Sequence, residues 1–243
     1  MSKNTIAFFD IDGTIYREGL ITEVFKKLVK FEIIGGERWY NEVRPEFTKW
    51  DKRQGDYDLY LQKMVDVYME AIKGLKKDQI EYIAKRVVEQ KGDRVYTFTR
   101  DRIKWHKEQG HITIAVSGSP YELVHEMSKK YELTDFRGAE YVKDNNGIYT
   151  GEVIPMWDSK SKRKAILELA EKYNADLSQC YAYGDTGGDY AMLKMVGNAY
   201  CMNPTKELLH KVINDNELCD KINVIVERKD VIYKLDINNL QFV

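Results

Sequence analysis

Four short, largely apolar runs, each cut off by a polar or glycine residue, constrain this chain more than any other feature. They are IAFF (Ile6–Phe9) before Asp10, ITIAV (Ile112–Val116) before Ser117-Gly118, CYAY (Cys180–Tyr183) before Gly184-Asp185, and NAYCM (Asn198–Met202) before Asn203-Pro204. Continuous apolar runs of this length suit strands buried on both faces, the condition of a parallel sheet covered by helices. Helical periodicity fills Tyr121–Tyr131, Ser161–Tyr173 and Tyr190–Val196. Strands alternating with helices predict an α/β fold with a doubly wound parallel sheet.

The rhythm breaks once. From about Glu18 to Val95 the patterning is helical only, as in YDLYLQKMVDVYMEAIKGL, Tyr57–Leu75. There Leu59, Leu61, Met64, Val65, Tyr68 and Ile72 are expected on one helical face. A simple crossover does not need so many residues. The organisation expected is a doubly wound, Rossmann-like core of residues 1–16 and 97–243, with an α-helical cap inserted at 17–96. KDNNGIYTGEV, Lys143–Val153, predicts a β-hairpin around Asn146-Gly147. The segment after Arg228 carries no clear pattern.

Composition excludes several classes of function. The 243 residues carry 38 Lys and Arg against 39 Asp and Glu, so no global basic field draws in nucleic acid or an anionic membrane. Cys180, Cys201 and Cys219 lack metal-site spacing and fit a reduced, cytoplasmic protein. MSKNTIAFFD lacks a signal-peptide pattern, and no apolar run approaches the roughly 20 residues of a membrane helix.

In an open parallel sheet, ligands bind beyond the carboxyl ends of the strands. Asp10 and Asp12 follow the first run, Ser117 the second, and Asp185 and then Asp189 the third. All are therefore expected at one sheet edge. Singly, each has a structural explanation: an Asp forms turns or caps helices, Ser117 could cap the helix near Pro120, and Lys160, Lys162 and Lys164 could form a solvated face. Together, crowded acids repel unless a cation neutralises them. Carboxylate oxygens with no His or Cys suit Mg²⁺, which keeps several waters and accepts substrate phosphate oxygens. Carboxylates, a hydroxyl, a lysine and helix-start N–H groups around such an ion make a site for phosphoryl transfer.

FFDIDGT, VSGS, a helical lysine and YGDTGGDYAML resemble the four ordered motifs of the haloacid dehalogenase (HAD) superfamily. The inserted helices resemble a subfamily I cap, and YAYGDTGGDYAML is similar to the phosphoserine-phosphatase-like branch. The resemblance covers nearly the whole chain. It implies a Mg²⁺-dependent phosphomonoester hydrolase acting on a small phosphorylated metabolite. Asp10 would be the nucleophile that forms an aspartyl-phosphate, and Asp12 the acid–base. Ser117, Gly118 and a lysine would hold the phosphoryl group. The metal ligands would be Asp10, the Asp12 main-chain carbonyl and Asp185, with Asp189 supporting the metal directly or through its water shell. The spacing of the branch and the buried side marked by Ile166 and Leu169 select Lys162, with Lys160 and Lys164 as alternatives. The second aspartate, Asp12, favours phosphatases over dehalogenases of similar fold.

Phosphoserine is one candidate substrate. In that branch a cap glutamate holds the serine ammonium, and the matching position is Gly19, with Glu18 one residue early. A cap arginine would hold the carboxylate, and Arg53 aligns loosely. Tyr16, Arg17, Trp39, Tyr40, Arg44, Trp50, Lys52, Arg53 and Tyr57 could equally favour a larger or more anionic ester. Two alternatives share the constellation: a phosphotransferase with an acceptor other than water, and a receiver-like signalling module. Asp12 and the long insertion count against the module.

Overall fold

The computed structural model describes residues 3–55 and 57–240, the side chain of Asp58 excepted. Eight strands form one sheet: β1 (Ile6–Phe9), β2 (Ile112–Pro120), β3 (Asp135–Lys143), β4 (Tyr149–Ile154), β5 (Tyr181–Gly184), β6 (Asn198–Met202), β7 (Ile222–Arg228) and β8 (Val231–Leu235). Their order is β4-β3-β2-β1-β5-β6-β7-β8. The six strands from β3 to β7 pair in parallel, and the two edge strands, β4 and β8, pair antiparallel. The chain winds outward from β1 in one direction, then returns to β5 and winds outward in the other. This is the expected double winding, with its switch point beside β1.

Four helices, α1 (Leu20–Lys30), α2 (Arg44–Asp51), α3 (Tyr57–Ile72) and α4 (Lys77–Lys91), lie between β1 and the helix α5 (Thr97–Glu108) that leads into β2. α6 (Tyr121–Lys130) follows β2, and α7 (Ser159–Lys172) precedes β5. The C-terminal part adds α8 (Tyr190–Met195), α9 (Lys206–Ile213) and α10 (Asn216–Cys219). No helix among the described residues is long and apolar enough to cross a membrane.

Alternation along β1 sorts the interior into two cores. Ile6 and Phe8 point to one side, joining Ala165, Ile166 and Leu169 of α7 and Leu208 and Val212 of α9. Ala7 and Phe9 point to the other, where a single apolar cluster runs from the sheet through Leu20 and Val24 of α1, Met64 and Val67 of α3, and Ile83 and Val87 of α4 to Leu123 of α6. The inserted helices and the sheet thus share one core.

Three expectations change in detail. Leu59 is 64% exposed, and the buried face of α3 is Tyr60, Met64, Val67, Tyr68 and Ile72, because the stripe drifts around a 3.6-residue helix. The run ITIAV is only the first half of β2, which continues through Ser-Gly-Ser to Pro120. The unpatterned C-terminal segment forms the β7–β8 hairpin, whose outer strand exposes Val231, Ile232 and Tyr233 and so lacks a burial signature. The hairpin around Asn146-Gly147 forms as expected between β3 and β4, with Gly147 at φ +74°.

Candidate active site

Beyond the carboxyl end of β1 the chain turns sharply, and Gly13 adopts φ +82°. A Cβ there would fall 1.9 Å from Asp185 Oδ2, so the turn and the carboxylate from β5 share one space. The Thr14 hydroxyl donates to Asp185 Oδ1 at 3.0 Å, and the Thr99 hydroxyl fixes that turn by donating to the Thr14 carbonyl at 2.8 Å. Asp10, Asp185 and Asp189 are buried, with carboxylate oxygens within 4.8 Å of one another.

Lys162 reaches this cluster from α7. The Asp158 side chain caps that helix, accepting from the backbone N–H groups of Lys160 and Ser161 at 2.9 Å each. The cap sets the first turn so that Lys162 points inward beside buried Ala165, Ile166 and Leu169. Its Nζ donates to Asp10 Oδ1 at 2.6 Å and also bonds Asp189 Oδ1. Lys160 and Lys164 are exposed, and Lys164 pairs with Glu168 on the surface. Of the three lysines, the fold brings Lys162 to the acids.

Asp189 ties the site together. Its second oxygen accepts from the backbone N–H groups of Asp185 at 3.0 Å and Thr186 at 3.1 Å. Asp12 is held apart from the other acids: Oδ1 accepts from the N–H of Leu20 at 2.9 Å, and Oδ2 from the Ser119 hydroxyl. Ser117 is fully buried and its Oγ accepts from the Ser119 N–H at 3.2 Å. Ser117 and Gly118 both line the cavity above the acids.

Charge explains the electrostatics. Burial, with Asp189 and Asp12 adding to it, outweighs Lys162 and pushes Asp10 up to about 8. Burial also raises Asp12, against the opposing bonds from Ser119 and Leu20. Asp185 is driven well above the carboxylate range by burial, then by Asp10 and Asp189. Burial opposes the charge on Lys162, but Asp10 and Asp189 outweigh it and hold its pKa above the ordinary lysine value. Three buried carboxylates face one ammonium, and the donor set is oxygen alone. That is the chemistry of a hard divalent cation.

A cavity of about 370 Å³ opens over these groups. Its floor is Asp10, Asp12, Ser117, Ser119 and Lys162, and its roof includes Ile21, Tyr57, Leu61, Gln62 and Val65. Trp157 forms a wall, wedged between two glycines: a Cβ at Gly118 would lie 2.6 Å from Trp157 Cβ, and one at Gly188 would lie 2.2 Å from the Trp157 carbonyl oxygen. Gly19 lines the cavity without a side chain, while Glu18 is turned away to pair with Arg94. Arg53 is exposed, near the Trp50 ring rather than the cavity. Trp39, Trp50 and Tyr57 pack with Phe47 and Tyr60 as an aromatic cluster. Of these five, Tyr57 reaches the cavity lining.

Sequence reasoning did not single out Ser119 and Trp157. Ser119 had a signal: it sits two residues after Ser117 on an extended strand, and so shares its face. Trp157 had none, since its packing against Gly118 and Gly188 is long-range.

The profile of haloacid dehalogenase-like hydrolases matches residues 7–194, and the chain belongs to that family. Relatives include an "inhibition of morphological differentiation protein" of Streptomyces azureus, 26% identical over 86% of this chain and 75% of that protein. A probable phosphatase of Mycobacterium tuberculosis is 34% identical over 47% of this chain and 39% of its own length. This chain spans less than half the length of the mycobacterial relatives it matches. A substrate-bound phosphoserine phosphatase structure superposes with a TM-score of 0.60 at 20% identity, covering 87% of this chain and 91% of that one. A Bordetella pertussis protein of unknown function gives 0.70 at 13% identity, over 88% and 96%. The family match makes the chain a haloacid dehalogenase-like hydrolase, and proteins named as phosphatases are among those it resembles.

Proposed function

We propose that the chain is a Mg²⁺-dependent phosphomonoester hydrolase that works through a phosphorylated Asp10. The observation that carries this reading is the grouping of Asp10, Asp185, Asp189 and Lys162, with Asp12 held separately by Ser119 and Leu20. Asp10, Asp185 and Asp189, with the Asp12 main-chain carbonyl, would hold Mg²⁺. Bound there, the ion supplies charge neutralisation for the acids and for the phosphate oxygens.

The protein's own groups account for the remaining steps. An Asp10 carboxylate oxygen attacks phosphorus, and the bond between phosphorus and the ester oxygen breaks. Asp12 gives its proton to the departing alkoxide, and burial of Asp12 favours the protonated form it needs. It then takes a proton from the water that attacks the phosphoryl group, which leaves as inorganic phosphate and frees Asp10. Ser117, the Gly118 N–H and the Lys162 ammonium orient the phosphoryl oxygens. Residues 17–96 act as the cap over residues 1–16 and 97–243. Three cysteines without a disulfide support a cytoplasmic setting.

The test is phosphate release from a panel of monoesters, with Mg²⁺ and with EDTA, for wild type and Asp10→Asn. Release that needs Mg²⁺ and is lost in the variant supports the reading. Phosphorylated chain that persists without releasing phosphate would instead indicate a switch, and transfer to an added alcohol a phosphotransferase.

A further inference from the structure

A phosphoryl group occupies only the floor of the cavity, and the rest must take the alcohol part of the ester. Five side chains shape that upper space: Ile21, Tyr57, Leu61, Val65 and Trp157. Ile21 comes from α1, the next three from one side of α3, and Trp157 from the loop before α7. Trp157 packs closely against Gly118 and Gly188, neither of which has room for a Cβ beside it. Two cations lie among the described lining residues. Lys162 is bonded to Asp10 and Asp189, and Lys211 pairs with Glu207 at 2.5 Å. Gln62 is the neutral polar side chain of the roof.

An amino-acid ester would bring an ammonium and a carboxylate into this space, and both would lose water. Burying a charge without a partner is strongly unfavourable. Gly19 offers the ammonium no side chain, and the roof offers the carboxylate no cation among its described residues. A sugar phosphate would bring several hydroxyl groups to the α3 face, where the Gln62 amide and the Tyr57 hydroxyl are the polar groups; the other polar lining, Asp158, Ser159, Thr186 and the Glu207–Lys211 pair, comes from the opposite, sheet-side elements. An apolar alcohol meets Leu61, Val65 and Ile21 without desolvating any polar group of its own, and an aromatic one stacks on Trp157 or Tyr57.

Resting on the phosphatase reading, we infer that the substrates are monoesters of uncharged, mainly apolar or aromatic alcohols. Amino-acid and sugar phosphates lie outside this class. Gln62 then serves a single polar group on an otherwise apolar leaving group, and specificity lies in the α3 face and Trp157.

The test compares kcat/KM of the full chain with Mg²⁺ on 2-phenylethyl phosphate, hexyl phosphate, O-phosphoserine, glycerol 1-phosphate and glucose 6-phosphate. All are esters of aliphatic alcohols, so leaving-group reactivity is similar across the panel. The first two should exceed the others by about ten- to hundred-fold, the range set by burying one hydrocarbon group of this size. Phosphoserine or glucose 6-phosphate equal to or better than 2-phenylethyl phosphate overturns the inference but leaves the phosphatase intact. No release from any ester, p-nitrophenyl phosphate included, overturns the phosphatase reading and this inference with it. In Leu61→Lys the ratio of 2-phenylethyl phosphate to phosphoserine should fall about ten-fold or more, and an unchanged ratio removes the α3 wall from the assignment. Competitive inhibition by 2-phenylethanol, absent with serine, reads the same preference without any variant. Equal inhibition by the two alcohols overturns it.

Discussion

Lys162 Nζ lies 2.6 Å from Asp10 Oδ1 and also bonds Asp189, although the three residues come from α7, the end of β1 and the turn before α8. The contact sets the charge state of the site. Burial would discharge a lone lysine, and two carboxylates keep this one protonated. On the proposed mechanism, replacing it with alanine would remove a donor to the phosphoryl group and leave Asp10 and Asp189 uncompensated. Lys162→Ala should lower kcat/KM by at least about a hundred-fold, on the order of 3 kcal/mol. Lys160→Ala and Lys164→Ala, both on the exposed side of α7, should stay within about two-fold of wild type. Steady-state kinetics on a common ester separates the three, and equal losses would remove Lys162 from its role.

Ser119, beside Asp12 on the cavity floor, holds it in place with its hydroxyl. A hydrogen bond to a charged group contributes about 2 kcal/mol, or roughly thirty-fold in rate if it acts only in the chemical steps. Ser119→Ala should therefore reduce kcat by that factor with KM changing little. A KM effect with unchanged kcat would mean that Ser119 serves substrate binding instead.

Asp185 has Thr14 as a hydrogen-bond donor but sits against two other buried acids. Neutralising it should relieve repulsion in the metal-free protein. In EDTA, Asp185→Asn should melt at a higher temperature than wild type. Adding Mg²⁺ should stabilise wild type by about 1.4 kcal/mol at ten times the dissociation constant and should not stabilise the variant. Calorimetry or thermal fluorescence gives both numbers. An equal Mg²⁺ shift in the two proteins would place the ion elsewhere.

His106 gives a pH dependence of stability away from the site. It is buried, its ring bonds Tyr183 and His111, and Trp105, Tyr181 and Phe9 pack around it. Burial, then Arg102 and His111, lowers its pKa from 6.5 to about 3. Between those values the unfolded chain binds a proton that the folded chain does not, so stability falls as pH falls. This contribution is intact above pH 6.5 and is reduced by about 2 kcal/mol at pH 5. Urea unfolding at pH 7.5 and pH 5 should show that extra loss in wild type relative to His106→Gln. Parallel losses in the two proteins would assign the acid sensitivity to other groups.

Much of the site is legible in the sequence because each strand ends where its apolar run ends, and the sheet carries those ends to one edge. Asp10 and Asp185 need only that rule to be brought together, and Asp189 follows Asp185 by one short turn. Lys162 needed the helix phase as well, which Ile166 and Leu169 supplied. What stayed hidden depends on contacts made across the fold. Gly13 reads as a turn, yet its missing Cβ is also the space that the Asp185 carboxylate fills. Trp157 reads as one more loop aromatic, and only Gly118 and Gly188 closing on it make it a wall. The β8 edge strand was invisible because solvent leaves no pattern on a strand it covers.

The apolar cluster that joins α1, α3 and α4 to the sheet and α6 has a consequence for traffic through the pocket. Swinging those helices away as one body would wet Leu20, Val24, Ile83 and Val87 together, at about 25 cal/mol for every Å² of apolar surface. That shared surface opposes any large outward motion of the inserted helices.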